Sequence, residues 1–415
     1  MRLVAHARTR LSGLAALWMA TQVLAAPAGG AASLNHGSLP PIRHVFIVML
    51  ENQAYAQSFG PGSPAHYLKS LQQQGASVPN YYGTSHMSLG NYLTLISGQA
   101  PTQATNFDCE VFSEFVSTGT TADGQAIGKG CVYPAHIQTI ANQLESAHLR
   151  WRAYMEDMGN NPRRESATCG HPRIGAQDNT GGATVGDQYA TRHNPFVYFH
   201  AIIDTPSCAA NVVNLTALAH DLSSVESTPN YVFITPNLCH DGHDGGGSAR
   251  CADGQPGGLV SADAFLQTLV PQIVASPAFK NDGLLIITFD EADIADDYEN
   301  QGSAAGVAGG VAAACCNEPS GPNIAAYNPG PGYRSPTGMN GPGLIGPGGG
   351  RIGAVLLSPF IRPGTVTSTA YDHYSLLRSV EDLFGLPRLG YAAQLGLQGF
   401  GADIYTMAPA RPPKR

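Results

Sequence analysis

The chain has 415 residues, 43% of them hydrophobic and only 13% charged, with a formal net charge of −8. That balance offers no basic stripe to displace nucleic-acid counterions, which argues against a nucleic-acid partner, and any attraction for a phosphate must come from a metal ion and local groups. Eight cysteines, an even number, fit a disulfide framework in an oxidising compartment, with 105 pairings open.

Residues 1–26 read as a signal peptide: Arg2, Arg8 and Arg10 precede the apolar stretch Leu11 to Leu24, and Val23-Leu24-Ala25 offers small residues for cleavage. Cleavage after Ala28 is a second option, and no cysteine stands there to take a lipid. Without this segment, 19 Lys and Arg face 30 Asp and Glu, a net charge of −11. No later segment holds about 18 uninterrupted apolar residues, so a secreted or periplasmic protein without stable membrane insertion is expected, its oligomeric state open. Residues 27–40, rich in Ala, Gly and Pro, predict a flexible entry to a catalytic domain over 41–390, and 391–415 a C-terminal tail.

The first strand is His44 to Leu50, an apolar run that stops at Glu51 and Asn52. Tyr231 to Thr235, Leu284 to Phe289 and Ile352 to Leu357 are similar runs bounded by turn residues, as expected of strands buried on both faces. Between them, Ile137 to Leu149, Ala262 to Val274 and Tyr374 to Leu383 carry apolar residues at helical spacing. Alternating strands and helices predict an α/β fold with a mainly parallel central sheet and helices on both faces. Residues 304–350, Gly-rich and holding Cys315-Cys316, predict an insertion pinned by disulfide bonding or a disordered flap.

Ligands of parallel α/β sheets bind beyond the carboxyl ends of the strands. Glu51 and Asn52 follow one buried run and Asp290 and Glu291 another, so three carboxylates and an amide reach one rim. Such acids repel one another unless a cation sits among them, and oxygen ligands suit one divalent ion: Mg, Ca or Mn, with Fe or Zn if histidines join. The other reading of each acid is a turn residue or helix cap.

Three further constellations stand out. Gly83 to Tyr92 reads as a loop entering a helix, where free N–H groups can hold an anion and Ser88 can attack phosphorus or simply cap the helix. Leu238 to Gly245 supplies His240, Asp241, His243 and Asp244 for binding metal or phosphate or for protonating a leaving group, or forms a solvated loop. Asp372 precedes His373 and either orients it or caps the last helix. Trp151 and Tyr154 read as core or as a wall for the leaving group.

The order of HVFIVMLEN, SHMSLGNYLTLISG, WRAYMEDM, RHNPFVYF, CHDGHDG, LLIITFDE and DHYSLLRSVEDLFGLP over residues 42–390 resembles the phosphoesterase family of secreted acid phosphatases and phospholipases C in the alkaline phosphatase superfamily. The resemblance implies an alkaline-phosphatase-like fold, Ser88 as nucleophile, and Glu51, Asn52, Asp290 and Glu291 as ligands of one metal. It further implies that His240 and His373 assist catalysis, with His243 able to take the part of His240, and that His86, His193, Asn194, His243 and Asp372 contact phosphate or leaving group. In the S-L-P-N-Y pattern of the family this chain has Gly90 for proline, and its first motif runs ENQAYAQSFG without the family's following acid. The expected substrate is a small phosphate ester, hydrolysed through a phosphoserine. The alternatives are a phospholipase C acting on phospholipid head groups and a non-catalytic secreted binding protein on the same scaffold. Cys239 and Cys251 bracket the CHDGHDG loop, and a bridge between them is expected to fix it.

Overall fold

A computed structural model describes residues 39–245, 250–293, 313–324 and 347–409. The expected signal peptide, most of the expected entry segment and most of the Gly-rich stretch lie outside the described residues.

The buried run β1 (His44–Leu50) forms the centre of an eight-stranded sheet. Chain order adds β2 (Ala76–Val78), β3 (Tyr81–Tyr82), β4 (Val116–Thr120), β5 (Ala126–Lys129) and β6 (Trp151–Met155). Then come β7 (Val212–Asn214), β8 (Tyr231–Thr235), β9 (Gly283–Phe289), β10 (Ala354–Leu357), β11 (Thr365–Val366) and β12 (Tyr371–Asp372). The main sheet runs β11-β2-β10-β9-β1-β8-β6-β7, and β4-β5 and β12-β3 pair separately. All its pairings are parallel except those of β10, which opposes both β9 and β2. The expected mainly parallel α/β sheet is therefore present, with one reversed strand.

Every residue of β1, β8 and β9 is buried, which explains why these runs do not alternate: helices cover both faces. Each expected helix forms, with bounds Ile140–Ser146, Gly258–Ala275 and His373–Phe384. By length and composition Gly258–Ala275 is apolar enough to cross a membrane; here it buries Leu259, Ala262, Leu266, Leu269, Val270 and Ile273. Trp151 is core, stacked on Phe196 at 4.9 Å, and the Tyr154 hydroxyl donates to Asp221 at 2.6 Å. Beyond residue 390 the chain still packs inward, with Phe400 edge-on to Tyr371 at 4.9 Å and Ile404 buried.

All eight cysteines pair: 109–131, 169–208, 239–251 and 315–316. The expected Cys239–Cys251 clasp is present. The insertion is not pinned to the core by a disulfide, however, because its two adjacent cysteines bond to each other.

Candidate active site at the carboxyl ends of the central strands

Register decides the site. In the parallel pair β1/β9, Leu50 lies opposite Phe289, so Glu51 and Asp290 leave the sheet side by side. Asp290 N–H donates to Leu50 O at 2.9 Å, and Glu51 N–H donates to Asp241 O at 2.8 Å. The loop after β8, on the other flank of β1, thus joins the same rim. Gly242 sits there at φ +110, a backbone conformation side chains rarely adopt, between buried Asp241 and exposed His243.

Glu51, Asp241 and Asp290 are all fully buried. Asn52 adopts φ 54 and donates its N–H to Asp290 Oδ1 at 2.8 Å, and Glu291 N–H donates to the same oxygen at 2.6 Å. At this rim four buried oxygens have no hydrogen-bond partner among the described residues: Glu51 Oε1, Asn52 Oδ1, Asp241 Oδ2 and Asp290 Oδ2. His193 adds two unpartnered ring nitrogens, with Nε2 at 3.1 Å from Glu51 Oε1 outside hydrogen-bond geometry and Nδ1 at 3.8 Å from Asp241 Oδ2. Burial raises all three carboxyl pKa values well above the usual range, and neighbouring acids add to it: Asp290 and Asp241 for Glu51, Asp244 and Asp290 for Asp241, and Glu291 for Asp290. Burial also pushes His193 far down. A cluster of this kind fits a hard divalent cation, which would restore the ionised carboxylates. The tighter donor groups among the described residues, Cys239–Cys251–Asp253 and Cys315–Cys316–Asp372, have their sulfurs committed to disulfides.

Ser88 opens the fully buried helix Ser88–Ser97. It is the first helical residue rather than the cap, which is Met87, and its hydroxyl donates to Glu51 Oε2 at 2.8 Å. Asn91 Oδ1 accepts from the backbones of Thr84 and Ser85 at 2.7 and 2.9 Å, folding the preceding loop against the helix. Gly90 belongs to this tight turn: a Cβ there would meet Ser85 Oγ at 2.5 Å. The free helix terminus expected for an anion is taken in part, since Asp108 Oδ1 accepts from Leu89 N–H at 2.9 Å.

A cavity of about 420 Å³ opens over Ser88, its lining including Asn52, Asp108, Arg192, His243 and Glu291. His243 Nε2 lies 3.3 Å from Asn52 Nδ2. Its pKa is lowered by desolvation, then by Arg192, against an opposing pull from Asp244.

Other expected site residues stand elsewhere. His240 pairs with Glu156 Oε1 at 2.9 Å, stacks on Phe265 and faces a different cavity of about 620 Å³. Between the two histidines of the loop, His243 is the one at Ser88. His373 is fully buried; its Nε2 donates to the Asp290 backbone carbonyl at 2.6 Å and its Nδ1 accepts from the Tyr81 hydroxyl at 3.0 Å. Desolvation lowers its pKa to about 4, against the pull of that carbonyl. It packs against the Asp290 backbone and is not among the residues lining the cavity over Ser88. Asp372 caps the last helix, accepting from Ser375 N–H at 2.7 Å. Asn194 donates to the Tyr189 hydroxyl at 2.9 Å inside the core, away from the cavity. Glu291, read as a ligand, turns its Oε2 to His86 Nδ1, and the two pair in full burial. Asp108 and Arg192 are the residues that the sequence did not bring to the site, whereas Asp241 was one of several candidates in its loop. Asp241 and Arg192 lay inside the quoted CHDGHDG and RHNPF stretches, whereas Asp108 carried no signal.

The profile of the Phosphoesterase family matches residues 61–387. The chain belongs to the phosphoesterase family. It is similar to the phosphate-repressible acid phosphatase of Penicillium chrysogenum, 24% identical over 83% of this chain and 59% of that protein. It is similar also to the phosphatidylinositol-3-phosphatase of Mycobacterium tuberculosis, 24% identical over 91% of this chain and 88% of that one. The chain thus spans about three-fifths of the fungal relative. A solved protein of the alkaline phosphatase superfamily from Vibrio parahaemolyticus aligns at TM-score 0.42 and 10% identity, over 84% of this chain and 67% of that one.

Proposed function

We propose that this phosphoesterase-family member hydrolyses phosphate monoesters, with Ser88 as nucleophile and one divalent cation held by Glu51, Asp241 and Asp290, with Asn52 and His193 beside them. The observation that carries this reading is the Ser88 hydroxyl donating at 2.8 Å to Glu51, next to buried carboxylate oxygens without partners. The cation, when bound, would neutralise phosphoryl oxygens and lower the pKa of the hydroxyl.

Glu51 Oε2 receives the Ser88 proton as Oγ attacks phosphorus; the Oγ–P bond forms as the ester P–O bond breaks. His243, exposed at the cavity mouth, gives a proton to the departing alcohol. Its lowered pKa confines that protonated form to acidic solution. Water then cleaves the phosphoserine. His373 and His86 act by position, the first through the Asp290 carbonyl and the second through Glu291.

Identity to the mycobacterial relative over most of both chains supports a second reading, a monoester carried on an inositol lipid head group. Four disulfides support a place outside the reducing cytosol.

The test is hydrolysis of 4-nitrophenyl phosphate by purified protein, before and after chelation and with each divalent cation restored. Ser88→Ala is expected to lower kcat by about three orders of magnitude or more while leaving bound metal within about twofold. Retention of activity in Ser88→Ala would overturn the nucleophile, and full activity of metal-free protein would overturn the cation.

A further inference from the structure

The carboxylates Asp108, Glu110, Asp178 and Glu291 line the cavity over Ser88, and Arg192 is the single lysine or arginine among its described lining residues. Asp108 already accepts the Leu89 N–H, so the start of the Ser88 helix is partnered by an internal anion. A phosphoryl dianion entering this cavity needs a cation on the protein's own walls as well as any metal at the carboxylate rim.

Arg192 has the geometry for it. It lies in the short turn Thr191–His193, directly before the His193 that faces Glu51. Its Nη1 donates to Gly181 O at 3.1 Å, and its Nε stands 3.6 Å from Asp108 Oδ2. Its Nη2 has no hydrogen-bond partner among the described residues, and its side chain keeps 14% exposure. One edge of the guanidinium is anchored while the other remains available. A planar fork held in this way suits two oxygens of one phosphate, which a lysine ammonium reaches only as a point charge.

Resting on the phosphoesterase reading of the same site, we propose that Arg192 binds the non-bridging phosphoryl oxygens of the substrate and biases the site toward dianionic monoesters over monoanionic diesters. Asp108 is its positioning residue: it sets the orientation of the fork and occupies the helix end that would otherwise compete for the anion. The physical reason for the bias is charge. Without Arg192, a phosphate would face four carboxylates from the cavity wall with no permanent protein cation opposite, only His243 when protonated, and a dianion suffers more from this than a monoanion.

The experiment compares wild type, Arg192→Lys and Arg192→Met, all metal-supplemented, in two readouts. Calorimetry measures binding of inorganic phosphate, and kinetics measure kcat/KM on 4-nitrophenyl phosphate and bis(4-nitrophenyl) phosphate. Arg192→Met is expected to weaken phosphate binding about tenfold or more and to lower kcat/KM on the monoester about tenfold more than on the diester, chiefly through KM. Arg192→Lys should fall between. Unchanged phosphate affinity with an unchanged monoester-to-diester ratio in folded Arg192→Met overturns the proposal, as does wild type that binds no inorganic phosphate. If Arg192→Met fails to fold, Arg192→Lys decides: it keeps the charge and loses the fork, so wild-type affinity in it overturns the assignment. Wild type that hydrolyses neither ester yet binds phosphate through Arg192 would sink the catalytic reading and leave this one standing.

Discussion

Ser88 and Glu51 show how one contact changes the meaning of two residues. A serine at a loop-to-helix junction can cap the helix, and an acid after a strand can cap a turn. Here the hydroxyl points away from the helix backbone to a buried carboxylate at 2.8 Å, so neither residue is spent on capping. His240 and His243 differ in the same way by only three positions. His240 is committed to Glu156 on the far side of the loop, while His243 stands in the cavity with Ser88. His243→Ala is therefore expected to lower kcat by about 100-fold, with the loss greatest on substrates whose leaving alcohol is a poor one. His240→Ala should stay within about threefold of wild type. Parallel assays on 4-nitrophenyl phosphate and an alkyl phosphate check this, and equal losses in both variants would refute the assignment of the two rings.

At the scale of elements, strand ends carry the site and caps hold it in place. β9, β1 and β8 are neighbours in that order, so the residues after them converge although they are far apart in the chain. The Cys239–Cys251 bridge clasps the loop after β8, and the Glu156 carboxylate accepts the Asn237 N–H at 2.9 Å at its start. The last helix matters through its first turn, because Asp372 caps it and His373 reaches the Asp290 carbonyl. Burial raises the Asp372 pKa to about 6, so removing its charge and removing its cap have opposite effects. Asp372→Asn keeps an acceptor for Ser375 N–H, and Asp372→Ala does not. Denaturant unfolding should find the alanine variant less stable than the asparagine variant by about 1 kcal/mol. Equal stabilities would mean that the cap contributes nothing.

For the whole molecule, buried acids away from the site set how stability depends on pH. Glu381 is fully buried, with Oε1 accepting from Leu389 N–H at 2.8 Å and Oε2 unpartnered, and desolvation pushes its pKa to about 8. Glu165 is pushed to about 7 with desolvation again the leading cause. A folded pKa above the unfolded value means that the native state binds the extra proton. The resulting stability is complete below the ordinary carboxyl range and is lost as pH rises toward about 8. Glu381→Gln should remove its share, so the variant gains on wild type by about 3 kcal/mol between about pH 5 and pH 8. Melting curves at several pH values check the sign; a gap that shrinks as pH rises would contradict it. The sequence by itself determined much of the plan: β8 occupies the expected residues, and β1 and β9 end where their apolar runs stop, because strands buried on both faces must be apolar throughout. It likewise marked Glu51, Asn52 and Asp290, since acids directly after such strands have only the rim to occupy. Tertiary structure alone decided which of the loop candidates, Asp241, stands beside Glu51, that Arg192 and Asp108 meet beside Ser88, and that His373 packs against the Asp290 backbone. Those outcomes depend on which way a side chain turns from a loop and on which strand becomes a neighbour, and no local pattern encodes contacts between segments far apart in the chain, such as Glu51 with Asp241 or Arg192 with Asp108.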